Sequence, residues 1–471
     1  MNRTIKLLLI VFSISSALLA FEDDFSLAAN KIEVLKDPFN IYSLNYNPAG
    51  LPYVENKEVF NIRTFIGNNG YKRTFDATSY QNYNAEYWTL RKINDVSFFA
   101  AGITYDDQRM QDMFGSREKD FYDDYFSTID STGGNTGFYG PQLNIFYNVK
   151  LADDLYFGVK GNYGVERGLK DTFPETITIM RNSTYHLGLD YRKESFGIGL
   201  HARYYEDQTY YESVKSYSDV IAKTFMGYNV IYNEIASSTS KKKRNRNGFE
   251  YGGHVRFNKD QSVIFTTSIS GLFRTSRSEM YSSYSKPRGF WVRQGIHIQS
   301  DLTFNPNESL SLQLNGEYLG FNDWGQSLIT NTLILENRET LAHIDLGVLF
   351  RPSMVFDVYV GGGAGSVSYD YKEYIQSFED QRSGMEWDLY AGTDIYVSSK
   401  TKLNINLDYG KEVPIFFWNT DHFTNFGARI YLEQLFSFGY IGIRFENINK
   451  KPSDDSQTIN LMQVGLSFRR K

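Results

Sequence analysis

The chain has 471 residues, of which 41% are apolar and 16% aromatic, and carries a net charge of −6. Its negative mean hydropathy excludes a bundle of membrane helices, and past the N-terminus no apolar run reaches the roughly 20 residues that a spanning helix needs. The mild acidity argues against a dedicated nucleic-acid binder. The lack of cysteine removes disulfides, thiol catalysis, Cys-based metal sites and a lipid-modified N-terminal Cys.

Residues 1–20 have the order of an export signal. Arg3 and Lys6 form the basic region, Leu7 to Phe12 with Ile14 the apolar core, and Ser15 to Ala20 the small-residue exit. Cleavage is expected after Ala17 or Ala20. Residues 21–55 lack alternation: they start acidic (Glu22, Asp23, Asp24), hold a helix-compatible piece over 28–35, and end in DPFNIYSLNYNPAGLPY. Turn chemistry alone makes Asn47, Pro48, Ala49, Gly50 and Leu51 a Pro/Gly turn leading into a strand.

From residue 56 to residue 471 one pattern repeats, and Met385 to Tyr409 shows it most clearly. Met385, Trp387, Leu389, Ala391, Ile395 and Val397 alternate with a face carrying Glu386, Asp388 and Asp394. After a turn at Ser398 to Thr401, Leu403, Ile405, Leu407 and Tyr409 alternate with Lys402, Asn404, Asn406 and Asp408. Period-two alternation on both sides of a short turn is a β-hairpin. Short turns are expected near Asn94, Ala152 to Asp154, Lys193 to Glu194, Asn258 to Asp260, Asn305 to Asn307, Pro352 to Ser353, Ser398 to Thr401 and Glu433 to Leu435. Long connections fall between them, among them Gln108 to Tyr139, Glu206 to Asn247 and Asn322 to Arg338. Short turns on one side and long loops on the other predict an all-β fold. It is a large antiparallel transmembrane β-barrel of about 18 strands (range 14–20), with both chain ends on the periplasmic side and a short plug-like N-terminal segment. A barrel that wide encloses a channel or a plug, because its own side chains cannot fill it. The abundance of Tyr (36) and Phe (36) suits strands that meet lipid interfaces.

The NPAGL at Asn47 to Leu51, placed between the signal peptide and the first strand, resembles the N-terminal motif of FadL-like hydrophobic-compound channels and related outer-membrane barrels. That resemblance implies a plug inside the barrel. The last strand, with Met462, Val464, Leu466 and Phe468, resembles the C-terminal signal read by the barrel assembly machinery, although Arg469, Arg470 and Lys471 follow the final Phe.

Alternation also assigns faces. Leu155, Phe157, Val159, Tyr163 and Val165 should meet lipid, and Lys160, Asn162 and Glu166 the interior. By the same phase His186, Asp190, Arg192, His201, Arg203, Glu250, His254, Arg256, Arg293, His297, Asp301, His343, Asp345, Glu386, Asp388 and Arg429 line the lumen. Mixed charge there means a hydrated or ion-paired interior, unlike a greasy tunnel for long hydrophobic cargo. His186 and His201 flank one turn and are expected to approach across the ladder. A cluster of imidazoles would offer a metal site, whereas single neutral histidines are merely polar wall residues.

No spacing sets a nucleophile beside a base, so no catalytic residue, enzyme activity or cofactor is expected. Gly361, Gly362, Gly363 and Gly365 precede no helix and form no phosphate loop; they are expected to permit bending or close approach of the plug. Residues 106–125 are rich in Asp and aromatics, and Lys241, Lys242, Lys243, Arg244 and Arg246 form a basic run. These two segments would fold over the mouth by attraction, engage lipopolysaccharide, or stay solvated. Ser213 to Ala236 is expected to be a short helix or lid. The chain thus reads as a porin-like outer-membrane channel or transporter for small solutes, embedded in lipid and lipopolysaccharide. The alternative is a non-conducting barrel that binds a surface or secretion partner.

Overall fold

In the computed structural model the described residues are 47–50, 57–116, 119, 121–122, 124–172, 175–213, 220–236, 241–259, 262–281, 285–353, 355–414, 418–454 and 457–470. The expected signal peptide and most of the 21–55 segment, Leu51 included, lie outside them.

A 3-10 turn at Pro48–Gly50 precedes twenty strands. In chain order these are β1 (Lys57–Asn69), β2 (Ser79–Asn94), β3 (Ser97–Ser116), β4 (Thr128–Ala152), β5 (Leu155–Lys170), β6 (Thr176–Arg192) and β7 (Phe196–Ser213). There follow β8 (Val220–Met226), β9 (Val230–Ala236), β10 (Lys241–Lys259), β11 (Val263–Tyr281), β12 (Ser285–Asn307), β13 (Leu310–Ser327) and β14 (Thr332–Phe350). The last six are β15 (Phe356–Glu373), β16 (Phe378–Ser398), β17 (Thr401–Glu412), β18 (Phe423–Phe436), β19 (Gly439–Pro452) and β20 (Ile459–Arg470).

Every strand of the wall pairs antiparallel with its neighbours, β7 pairs with β10, and β1 closes the sheet on β20 from Glu58↔Arg470 to Asn69↔Ile459. The hairpin β8–β9 stands apart from the wall and touches it through Thr128↔Thr224 and Ile129↔Lys223. The result is a closed 18-strand antiparallel barrel. Closure leaves no strand of the 18-strand wall without a neighbour on either side, which is how a β-structure keeps its backbone satisfied without water.

The polarity of the wall is inverted relative to a water-soluble protein. Leu389 is 58% exposed and Ile344 62%, whereas the interior Asp345 and Asp394 are 5% and 1% exposed. On β16 the outward positions are apolar from Met385 to Val397 with Thr393 among them, and polar above (Glu379, Gln381, Ser383). On β15 they are Phe356, Val358, Val360 and Ala364, followed by Ser366, Ser368, Asp370 and Lys372. An apolar band thus girdles the turn end, and polar strand extensions rise above it toward the loop end.

Those extensions correct the expected loops. Gln108 to Tyr139 is largely strand, since β3 reaches Ser116 and β4 starts at Thr128. The basic run belongs to β10, and residues 213–236 hold the β8–β9 hairpin in place of a helix. The apolar period ends where the band ends, yet the ladder continues with polar residues on both faces, which periodicity cannot register. The turn expected at Glu433 to Leu435 lies at residues 437–438, because the β18–β19 ladder continues to Phe436↔Gly439.

Candidate functional site

Three interior positions near the turn end carry glycine on adjacent strands: Gly158 on β5, Gly188 on β6 and Gly199 on β7. They make a floor for the Asn47-Pro48-Ala49 turn. A Cβ at Gly158 would lie 2.2 Å from the Pro48 carbonyl carbon, one at Gly188 1.9 Å from Asn47 Oδ1, and one at Gly199 2.6 Å from Asn47 Nδ2. Asn47 Nδ2 donates to the carbonyl oxygens of Leu189 (3.0 Å) and Leu200 (3.4 Å). Asn148 Nδ2 donates to Pro48 O (3.1 Å), and Arg192 Nη2 to Ala49 O (3.0 Å). The turn holds its own shape through Ala49 N donating to Asn47 Oδ1 at 2.9 Å. Asn47 and Ala49 are almost fully buried.

Around this seat lie several of the interior residues read from sequence. Asp190 pairs with Arg192, and its Oδ1 is 3.3 Å from His254 Nε2. Glu250 pairs with Arg203 and lies 4.0 Å from His201 Nε2. His186 and His201 are diagonal neighbours across β6–β7, with ring centroids 5.6 Å apart. Arg256 shares the interior face of β10 with Glu250 and His254.

The remaining histidines are on other strands, so the five do not form one imidazole cluster. His297 on β12 contacts Glu317 on β13 at 2.8 Å. His343 on β14 places Nε2 3.1 Å from Asp345 Oδ2 and 3.3 Å from Asp388 Oδ1 of β16. Asp301 and Glu386 also occupy the interior phase of their strands, and Glu386 accepts from Val413 N at 2.9 Å. Arg429 donates to Glu446 at 2.9 Å. The glycines of β15 make room for these residues and for Tyr390, not for the N-terminal turn. A Cβ at Gly361 would lie 2.5 Å from the Tyr390 ring, and one at Gly363 2.3 Å from both His343 Nε2 and Asp345 Oδ1.

The loop end is closed by a second structure, an aromatic cap. Phe121, Tyr122, Tyr125 and Phe126 of the β3–β4 connection cluster with Phe225, Met226 and Tyr228 of the β8–β9 hairpin. This group packs onto Trp291, Ile334, Leu335, Tyr369 and Tyr371 from the wall. Backbone bonds knit the two loops together: Phe225 N donates to Ser127 O (2.8 Å) and Gly227 N to Tyr125 O (2.7 Å). Phe75 of the β1–β2 loop packs against Phe121, with ring centroids 4.0 Å apart and planes tilted by 32°.

Polar anchors fix the cap. Asp124, 2% exposed, accepts from Ser276 Oγ (2.9 Å) and Trp291 Nε1 (3.0 Å). It faces Arg244 Nε at 3.7 Å and Arg246 Nε at 4.0 Å. Lys242 donates to Phe126 O. Tyr125 OH donates to Asp323 Oδ2 (2.5 Å), which also takes a two-pronged contact from Arg293 at 2.8 Å. Burial first, and the Asp323 carboxylate second, push the Tyr125 hydroxyl well above the ordinary tyrosine range. Lys242, Arg244 and Arg246 therefore reach inward to the acidic, aromatic loop, one of the three arrangements open to the two charged segments, and do not leave them as separate solvated loops.

The signals missed in the sequence are the inward phase of Gly158, Gly188 and Gly199 on consecutive strands, and the role of Asp124, one of two adjacent aspartates among the four cap aromatics. The glycine phases were legible one by one once the interior phase was assigned, whereas the role of Asp124, in a connection between strands, was not.

The chain belongs to a family of unknown function (DUF6850), whose model matches residues 48–468. Among curated proteins no sequence relative is found. The chain is similar in structure to the TodX monoaromatic hydrocarbon channel deltaS2 mutant, with 8% identity over 92% of this chain and 94% of that one and a TM-score of 0.33. It is similar to the alcaligin outer membrane receptor FauA from Bordetella pertussis (9% identity, 89% and 76% covered, TM-score 0.44). It is also similar to the siderophore receptor PiuA from Acinetobacter baumannii (8% identity, 88% and 82% covered, TM-score 0.45).

Proposed function

We propose that this DUF6850 member is an outer-membrane channel or transporter for small polar solutes, whose path runs through the barrel between the Asn47-Pro48-Ala49 seat and the aromatic cap. The inverted wall supports the membrane setting. The outward apolar positions of β16 run from Met385 to Val397, which at about 3.3 Å per residue and a strand tilt of about 45° gives a band about 28 Å high. That is the thickness of a bilayer's hydrocarbon core, about 30 Å.

The observation that carries the reading is the contrast between a charged wall and two separately anchored structures, one at each end. At one end a short turn is seated on β4–β7 through a few hydrogen bonds, and at the other loops are held through Asp124 and Tyr125. Both are arrangements that a change of contacts can open. Selection would come from the wall, where carboxylates, guanidinium groups and imidazoles alternate, so small hydrophilic solutes are the expected cargo. The N-terminal segment acts as a plug, in keeping with the resemblance of NPAGL to FadL-like barrels.

The test is solute uptake by proteoliposomes containing the purified protein, with neutral and charged sugars and amino acids of increasing size. Uptake that is size-limited and lost on heat denaturation supports the reading. The tight anchoring of the cap favours a second reading, a sealed barrel serving a surface or secretion partner. Absence of uptake together with stable copurification of an outer-membrane partner would establish that reading instead.

A further inference from the structure

We infer that His343, Asp345 and Asp388 form a binding site for a divalent transition cation of the Zn2+ type on the inner wall. The three donor atoms all lie within 4.8 Å of one another, and the group is the one His/Asp/Glu trio of this kind among the described residues.

The ladder explains the convergence. Asp345 on β14 and Asp388 on β16 both pair with Gly363 on the intervening β15. The two carboxylates therefore stand at one height on either side of a position with no side chain. His343, two residues along β14 on the same face, brings its imidazole over that position. Any other residue at Gly363 would put a Cβ 2.3 Å from His343 Nε2 and from Asp345 Oδ1. The next interior residue of β15, Gly365, is likewise bare, and a Cβ there would lie 2.7 Å from His343 Nδ1. The space the ligand atoms share is therefore kept open by sequence.

The separations fit an ion. Zinc bonds to nitrogen and oxygen run about 2.0 to 2.2 Å, so neighbouring donors on a tetrahedral or octahedral ion sit about 2.9 to 3.5 Å apart. His343 Nε2 is 3.1 Å from Asp345 Oδ2 and 3.3 Å from Asp388 Oδ1. One imidazole with two carboxylates is a borderline-hard donor set suited to Zn2+ and its first-row neighbours. Three protein ligands leave further positions for water or a passing solute. Two adjacent carboxylates also need a counter-charge, which a divalent ion supplies more fully than a protonated imidazole. The site does not depend on whether solutes cross the barrel.

The experiment uses the full chain in detergent, stripped with EDTA and dialysed against Zn2+, with metal measured by elemental mass spectrometry and the ligand shell by zinc-edge X-ray absorption. The expected result is about one ion per barrel, with one imidazole nitrogen and carboxylate oxygens in the shell. His343→Gln and Asp388→Asn should each weaken binding at least tenfold, and His254→Gln should leave it unchanged. Heat-modifiability on gels verifies that each variant remains a folded barrel, and the absorption spectrum of the unaltered protein gives an answer even if a variant does not fold. Two results overturn the assignment: no retained ion in the unaltered protein, or a shell of several imidazoles, which would move the ion to His186, His201 and His254.

Discussion

Gly158→Ala is the smallest change that should release the N-terminal turn. The added Cβ would stand 2.2 Å from Pro48 C, 2.3 Å from Ala49 N and 2.3 Å from Pro48 O. All three are backbone atoms that no rotamer change can clear, and the opposing wall is a paired strand. The turn must therefore lift, and its contacts to Leu189 O, Asn148 and Arg192 go with it. Two neutral hydrogen bonds at about 0.5 to 1.5 kcal/mol each and one charge-assisted bond at about 1.5 to 3 kcal/mol put the loss at about 2.5 to 6 kcal/mol. With tenfold per 1.4 kcal/mol, amide exchange over residues 47–50 should accelerate at least about fiftyfold. Hydrogen exchange read by mass spectrometry measures this directly, and peptides from β13–β16 should not change. Unaltered exchange in Gly158→Ala, or fast exchange already in the parent protein, would refute the seat. Gly161→Ala on the same strand is the control, since its Cβ meets nothing within 4 Å.

Three further outcomes follow from the same geometry. Leu389→Arg, in the middle of the outward band, should cost about 2 to 4 kcal/mol in reversible folding into bilayers, and Ser383→Arg above the band about 0 to 1 kcal/mol; equal costs would contradict the membrane placement. Asp124→Ala removes the carboxylate facing Arg244 and Arg246 and leaves buried guanidinium groups behind, a loss of about 3 to 5 kcal/mol, so proteolysis within residues 117–127 should rise sharply while the barrel stays heat-modifiable. Tyr125 is held neutral in the cap by burial and by Asp323. A hydroxyl raised in this way contributes stability that is complete below the unfolded tyrosine value near 10 and is lost as pH rises above it toward the higher folded value. The cap should therefore loosen, by exchange of residues 121–127, as pH rises above about 10, and Tyr125→Phe should blunt that dependence.

The barrel was legible because its physics is periodic. Met385 to Val397 announces an outward face, and the same alternation puts Asp388, Asp394 and the other charged residues on the interior phase. What alternation cannot carry is anything fixed by contacts between distant segments. Asp124 looks like one more acidic loop residue until Trp291, Ser276 and the basic β10 strand surround it. Residues 220–236 were not read as strands because β8 and β9 are only seven residues each, too short for alternation to stand out. His343 and Asp388 are 45 positions apart in sequence, and only the register through Gly363 brings them together. The glycines of β5, β6 and β7 were visible one by one, but their common use as a floor needs three strands side by side.

Single-channel conductance of the purified protein, set against a version lacking residues 21–55, shows whether the N-terminal segment gates a path through the barrel. Removal of the turn from its seat on Gly158, Gly188 and Gly199 should widen the path, giving larger or more frequent openings than the intact chain. If both proteins conduct alike, the N-terminal segment is no gate. If neither conducts under any solute or voltage, the barrel is not a channel.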